Sequence, residues 1–509
     1  MDLSAGARIE SLHADRICRR PRNLYAITGL HAIPGSACNA RGRMQSRALM
    51  RSQGCMQSQE LMQSRNQHGK EQAHPTRWRH GNAGWLRADG GNLNKFSILP
   101  PSGFPRHGQR RPQLFNMTAH SHSLVRFSSS GDTFMSADNV IIFREPATAD
   151  GRRIGHATLN APASLNALSL DMVEQLNRQL KAWIRDPDVV AIVLDGAGER
   201  AFSAGADIRD LYHSIREYGN RPNPYAQHFF FTEYALDYRI HTCPKPLLCW
   251  GHGIVMGGGV GLLAGASHRV VTPQTRMAMP EIGIGLFPDV GGSWFLNRFP
   301  GRAGLFVGLT AAPMNASDAL FAGMADFCLD DSSRQAVLDD ILRHRWGTDT
   351  AANKAQMTRL LDAHENGNQA ERAPSALRQH FDLIRKTVGM ASLKDTAERL
   401  LALPVHDDPW LATAMENFRR GSPTSAALAW ELQQRCRHRS LADVFRIEYN
   451  VAISCCAAHD FAEGVRALLI DKDKKPQWQP PTLDAVASSF IESHFRDHHD
   501  GTHPLSGWR

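Results

Sequence analysis

Cysteine is scarce in this chain: nine residues in 509, scattered, with no CxxC pair. That excludes a disulfide framework and a cysteine-held zinc site, and reads as reduced thiols in a reducing compartment. Long apolar runs are also missing. Glycine or a charge breaks each run within about a dozen residues, short of the roughly 20 that a bilayer span needs, so no membrane partner is expected. The chain has no GxxxxGK[ST] loop, no strand followed by GxGxxG with an acid about 20 residues on, and no GxSxG turn. Phosphate-loop, dinucleotide and serine-elbow chemistry are thereby excluded, and neither a cofactor nor a metal is required. His498, His499 and His503 have no ordered ligand spacing and read as part of a disordered polar tail.

Acidic residues are few at the start. Residues 1–134 hold 19 Lys+Arg against 7 Asp+Glu, leaving 39 against 43 for the rest, so the net basic charge belongs to the first quarter alone. Residues 1–116 carry an imperfect repeat, MQSRALMRSQGCMQSQELMQSRNQ, and no sustained apolar periodicity. Such a segment cannot bury enough surface to fold and is expected to be disordered. Three readings compete for it: an Arg-rich transit peptide, a basic arm for nucleic acid with few interleaved aromatics, or sequence preceding a true start at Met117 or Met135. The expected division is a basic extension at 1–134, an α/β domain at 135–345, a helical region at 346–483 and a polar tail at 484–509. A Gly/Asn/Asp-rich stretch near 347–370 reads as a surface linker.

From Asn139 the pattern turns regular. Val140–Phe143 and Ile154–Thr158 read as a hairpin, and Ser169 is placed to cap a helix bearing Leu170, Val173, Leu176, Leu180 and Trp183. Strand and helix signals then alternate from 189 to about 310, which argues for an α/β fold. The densest stretch is GHGIVMGGGVGLLAGASHRVVTPQTRMAMPEIGIGLFPDVGG at 251–292. Gly257, Gly258 and Gly259 sit between an apolar strand and a buried helix start, where backbone N–H groups lack intrahelical partners and can hold developing negative charge. A tight turn is the simpler use of three glycines. The segment AFSAGADI at 201–208 adds weight to the catalytic one, because the N–H of Ala206 could supply a second donor. Glu281 and Asp289 each follow a proline in apolar surroundings that raise carboxyl pKa values into a working range. Two acids beside such donors suggest acyl chemistry.

AFSAGADI followed by the glycine-opened helix resembles the crotonase (enoyl-CoA hydratase/isomerase) superfamily, over about 139–480. The resemblance implies a ββα spiral core with a helical C-terminal region, an acyl-CoA substrate whose coenzyme is no separate cofactor, and Ala206 and Gly258 as the two N–H donors. MPEIGIGLFPDVGG and the later EGVRALLIDKD are similar to the branch that hydrolyses short 3-hydroxyacyl thioesters. In that branch a glutamate at the position of Glu233 lines the pocket. The loop Asn160–Leu168, with Ser164 and Asn166, resembles the one that folds over the coenzyme, and Gly257 belongs to the same substrate-binding set. Ala161 and Ala163 stand where relatives carry basic residues, so Arg209 or a C-terminal lysine is a candidate substitute; Lys472, Lys474 and Lys475 read as solvated charges, with contact to the coenzyme's phosphates as the alternative. Hydratases place one glutamate three residues after the middle glycine, where this chain has Gly261, and glycine where it has Asp289. Hydrolysis is therefore expected, with another acyl-CoA hydration or isomerisation, or RNA binding, as the alternatives. The resemblance also allows a homo-oligomer, and implies the cytoplasm in a bacterium or otherwise the mitochondrial matrix. No nucleic-acid partner is expected.

Overall fold

Residues 139–160 form the expected hairpin: Ile141–Arg144 (β1) runs antiparallel to Arg153–Leu159 (β2), with Ile141 opposite Leu159. The computed structural model describes residues 139–509 except 220, 368–370, 500 and 509. The basic extension, its expected disorder and its candidate start sites lie outside the described residues. Ser169 caps the helix Leu170–Arg185 (α1) by accepting from the Met172 N–H, and Met172, Val173, Leu176, Leu180 and Trp183 bury as one stripe.

The chain then lays strands alternately on two sheets: β3 (Val189–Gly196), β4 (Ala201–Ser203), β5 (Leu247–Gly251), β6 (Ile254–Met256), β7 (His268–Val271), β8 (Arg276–Ala278) and β9 (Phe327–Cys328). One sheet has the order β1-β2-β3-β5-β7-β9 and the other β4-β6-β8. Every pairing of these strands after the hairpin is parallel. Each turn thus gives one strand to each sheet, and the helices Arg209–Tyr218 (α2), Pro224–His241 (α3) and Gly258–Gly265 (α4) fill the returns. This is the ββα spiral. β3 is buried at every position because both of its faces are covered. Val189, Ile192 and Leu194 face the main core, while Val190 and Val193 join Leu248, Trp250 and Val270 on the other side.

The C-terminal region is helical, and Ala303–Thr310 (α5), Pro409–Arg420 (α6), Pro423–Arg435 (α7), Leu441–Ala457 (α8) and His459–Val465 (α9) share the main core with the spiral. Two expectations need correction. The stretch expected to be a linker contains the helix Thr350–Gly367, whose Met357 and Leu361 bury against the outer face of the first sheet. Two apolar residues four apart suffice to seat it, too few to show as a period. The polar tail is packed as well. Ser488–His494 is helical, Leu505 is buried, Trp508 stacks on Tyr238 with centroids 4.4 Å apart, and His498 lies 2.6 Å from the Ser454 hydroxyl. Sparse anchors hold it, not a continuous apolar face.

Candidate active site

Where the β4–α2 loop, the β6–α4 turn and the segment after β8 meet α6 and α9, they enclose a cavity of about 700 Å³. Ala206, Gly257, Gly258, Glu233, Glu281 and Asp289 all line it. Ser164 and Asn166 do not. The Ser164 hydroxyl donates to Ala161 O at 3.0 Å on the exposed side of its loop. The buried Asn166 amide accepts from the Ala161 N–H at 2.9 Å and donates to Ala197 O and Ala201 O at 3.0 and 2.9 Å, tying its loop to the spiral.

Gly257 ends β6 with φ +51°, a conformation that disfavours side chains, and α4 starts at Gly258. The Gly257 N–H donates to Ala278 O, whereas the Gly258 N–H, at the first helical position, has no acceptor among the described residues. Across from it, the Leu168 N–H donates to Gly205 O at 2.8 Å and the Asp207 N–H to Leu168 O at 2.9 Å. That pairing skips Ala206, whose N–H also has no acceptor among the described residues. The two groups are neighbours: a side-chain carbon added at Gly258 would stand 3.4 Å from Ala206 N, and one at Gly205 3.2 Å from Gly258 N. A carbon at Gly257 would stand 3.1 Å from Glu281 Oε1, so the glutamate reaches the same spot.

The C-terminal region holds the acids. Glu281 opens a short turn to Ile284, closed by Gly285 with φ +75°. A side chain at Gly285 would lie 2.2 Å from Asp460 O, and one at Gly464 2.4 Å from Ile284, so α9 sits directly on this turn. The Tyr234 hydroxyl donates to Asp289 Oδ2 at 2.9 Å. Val290 follows with φ +51°, a strained conformation for a β-branched residue that costs about 1–3 kcal/mol. Beyond it the Gly291 and Ser293 N–H groups each donate to Glu448 of α8 at 2.8 Å. These bonds fix the bend that points Asp289 into the cavity.

Five carboxyls, Glu233, Asp237, Glu281, Asp289 and Glu448, are thus buried together, without an ion pair to any of them among the described residues. Burial, reinforced by Asp289, pushes Glu233 and Glu281 well above the usual carboxylate range. Burial followed by Glu233 and Asp289 does the same to Asp237. Asp289 is raised by burial to about 7 against the pull of the Tyr234 bond, and Glu448 by burial to about 8. Sequence reasoning missed Asp237, Glu448 and Tyr234. The spacing of four between Glu233 and Asp237 in HFFFTEYALDY is a usable signal, since it puts both on one helix face. Nothing local ties Glu448 to Gly291.

At Gly261 a side-chain carbon would stand 2.7 Å from Val290 Cβ and 3.0 Å from Asp237 Oδ1. The space is already filled. Just after α9, Arg466 pairs with Glu463 at 2.8 Å, Asp471 at 2.5 Å and Asp473 at 2.8 Å, folding the EGVRALLIDKD segment into a π turn over Arg466–Ile470. The segment presents Lys474, whose carbonyl accepts from Arg420 at 3.0 Å; both residues line the cavity, and Lys472, Lys475 and Arg209 do not.

Residues 154–495 match the family description enoyl-CoA hydratase/isomerase. The chain is 36% identical to a 3-hydroxyisobutyryl-CoA hydrolase, mitochondrial, of Gallus gallus over 67% of its own length and 86% of that protein. It is 33% identical to the protein of the same name from Homo sapiens, over 75% of this chain and 95% of the relative. A solved structure titled as an enoyl-CoA hydratase from Rhodobacter sphaeroides 2.4.1 is similar at 34% identity and TM-score 0.60, covering 70% of this chain and 97% of that one. One titled as a carnitinyl-CoA dehydratase from Mycobacterium thermoresistibile is similar at 34% identity and TM-score 0.62, covering 72% and 99%. With a match that spans both the spiral and the C-terminal helices, the chain belongs to the enoyl-CoA hydratase/isomerase family of the crotonase superfamily.

Proposed function

We propose that this enzyme hydrolyses the thioester of 3-hydroxyisobutyryl-CoA, and of 3-hydroxypropionyl-CoA, to the free acid and coenzyme A, a step of valine breakdown. One observation carries the choice of hydrolysis over hydration: Gly261 occupies the first hydratase carboxylate position with no room for a side chain, while Asp289 points into the cavity beside Glu281. The named hydrolase relatives support the same choice.

The thioester oxygen accepts from the N–H groups of Ala206 and Gly258, which form an oxyanion hole; one such donor lowers the barrier by about 2.7–4 kcal/mol in a comparable site. Glu281 attacks the polarised carbonyl to give a mixed anhydride, or activates the water that does. Asp289, held by Tyr234, moves protons and orients the water or the substrate hydroxyl, and Glu233 holds substrate. Lys474 and Arg420 at the mouth suit the phosphates of the coenzyme. The relatives are named as mitochondrial, which supports the mitochondrial member of the two expected compartments. The test is thiol release across a panel of acyl-CoA thioesters. Release from both 3-hydroxyacyl thioesters is expected; hydration of crotonyl-CoA at hydratase rates without thiol release would overturn the reading. Label found in Glu281 after a single turnover in heavy-oxygen water identifies the anhydride route, because direct attack by water leaves the enzyme unlabelled.

A further inference from the structure

Asp237 is fully buried, is not among the residues lining the substrate cavity, and has no hydrogen-bond partner on either carboxyl oxygen among the described residues. It does not stand alone. Glu233, Asp237 and His241 follow one another at intervals of four along α3, on one helix face. Opposite them α4 carries Gly258, Gly261 and Gly265, and a side-chain carbon at each would stand 2.8 Å from Glu233 Oε1, 3.0 Å from Asp237 Oδ1 and 2.9 Å from His241 Cδ2 in turn. Three glycines therefore make room for three polar side chains. Glu233 Oε1 and His241 Nε2 are likewise buried without a partner among the described residues. The column starts at the cavity wall, where Glu233 is 3% exposed, and ends at half-buried His241, the last residue of α3, beside exposed Thr242.

Hydrolysis at neutral pH gives this column a task. Water adds its oxygen to the acyl carbon and the carbon–sulfur bond breaks; sulfur keeps one water proton, and the second is released because the product acid ionises. The pocket in which this happens is largely apolar, lined by Phe229, Phe230, Ile282, Leu286 and Phe461, and its mouth is filled by the coenzyme while substrate is bound. We propose that Glu233, Asp237 and His241 form a relay that carries this proton from the pocket to the surface end of α3. The proposal rests on the hydrolysis reading. The Cβ atoms of residues four apart on a helix are about 5–6 Å from each other, so each side chain of the column faces the next. Asp289 and Glu448 act on the middle of the column, and Arg269 and Arg298 on its outer end. Burial and those two arginines push His241 down to about 4, so the imidazole passes a proton on without retaining it.

Relay residues differ from structural ones in their response to small buffers, which carry protons where the relay is broken. Asp237→Asn keeps the shape and is expected to lower kcat about ten- to a hundredfold at low buffer concentration, with KM within about twofold and rate restored by added imidazole. His241→Gln, at the surface end, carries the same expectation if Asp237→Asn does not fold. A variant that turns over at the wild-type rate, or one slowed without any response to imidazole, overturns the relay. A wild-type chain that releases thiol from no thioester overturns the hydrolysis reading instead, so the two failures are distinguishable.

Discussion

Asp289 is held near neutrality by its burial, and the consequences for stability and rate carry opposite signs. An ordinary aspartate releases its proton near 3.8, and the folded chain holds it to about 7. Between those values the folded state binds more protons than the unfolded one, so the contribution is present below about 4 and is lost as pH rises through 7. Glu448, raised to about 8, acts in the same direction. Thermal melts should therefore give a lower midpoint at pH 8 than at pH 6. Asp289→Asn should flatten the dependence and stabilise the chain at pH 8 by roughly 1–3 kcal/mol. Parallel curves for wild type and variant would contradict this. The rate should move the other way, with kcat/KM rising through an apparent value near 7 that belongs to the coupled cluster and not to one residue. Glu281→Gln should remove about 10²–10⁴ of kcat with little change in KM, because an amide neither attacks nor takes the proton. Near-normal turnover by this variant would move the reaction elsewhere in the chain.

Elements built from local signals are legible in the sequence itself: the opening hairpin, the Ser169 cap, the glycine start at Gly258 and the proline-led acids at 281 and 289. Each depends on residues a few positions apart. Interactions made between distant parts of the chain are not legible. Glu448 reaches Gly291 and Ser293 from α8, more than 150 positions away, and Tyr234 of α3 meets Asp289 only once both are folded. Asn166 shows the converse, since a polar residue on a candidate binding loop proves to be fully engaged with backbone groups. The facing of α3 and α4 gives a sharp test of why this chain lacks the first hydratase acid. Gly261→Glu would push a side chain into Val290 and Asp237. It should destabilise by about 1–3 kcal/mol or more, and should not create crotonyl-CoA hydration. A stable variant that hydrates crotonyl-CoA would show that the space can be reopened.

At the scale of the whole molecule, the spiral supplies the backbone donors and Glu281, and the C-terminal helices brace them. A chain begun at Met135 keeps every described element and the full family match, so it should retain turnover within about twofold. Loss of activity on that deletion would make the basic extension part of the enzyme. The opposite end should be far less tolerant. Trp508 stacks on Tyr238 of α3 and meets Phe445 of α8 edge-on at 5.9 Å, and Phe445 in turn packs on Tyr234 at 5.5 Å. The last residues thus clamp the helix bearing Glu233, Tyr234 and Asp237 to the helix bearing Glu448. Trp508→Ala should cost roughly 1–3 kcal/mol, less than a fully buried aromatic because Trp508 is only half-buried. It should also lower kcat, since Tyr234 loses part of the support that aims it at Asp289. Urea denaturation with parallel turnover measurements checks both effects. A variant that loses stability with kcat intact would confine Trp508 to packing, and one that loses neither would mean that α3 and α8 are held together without it.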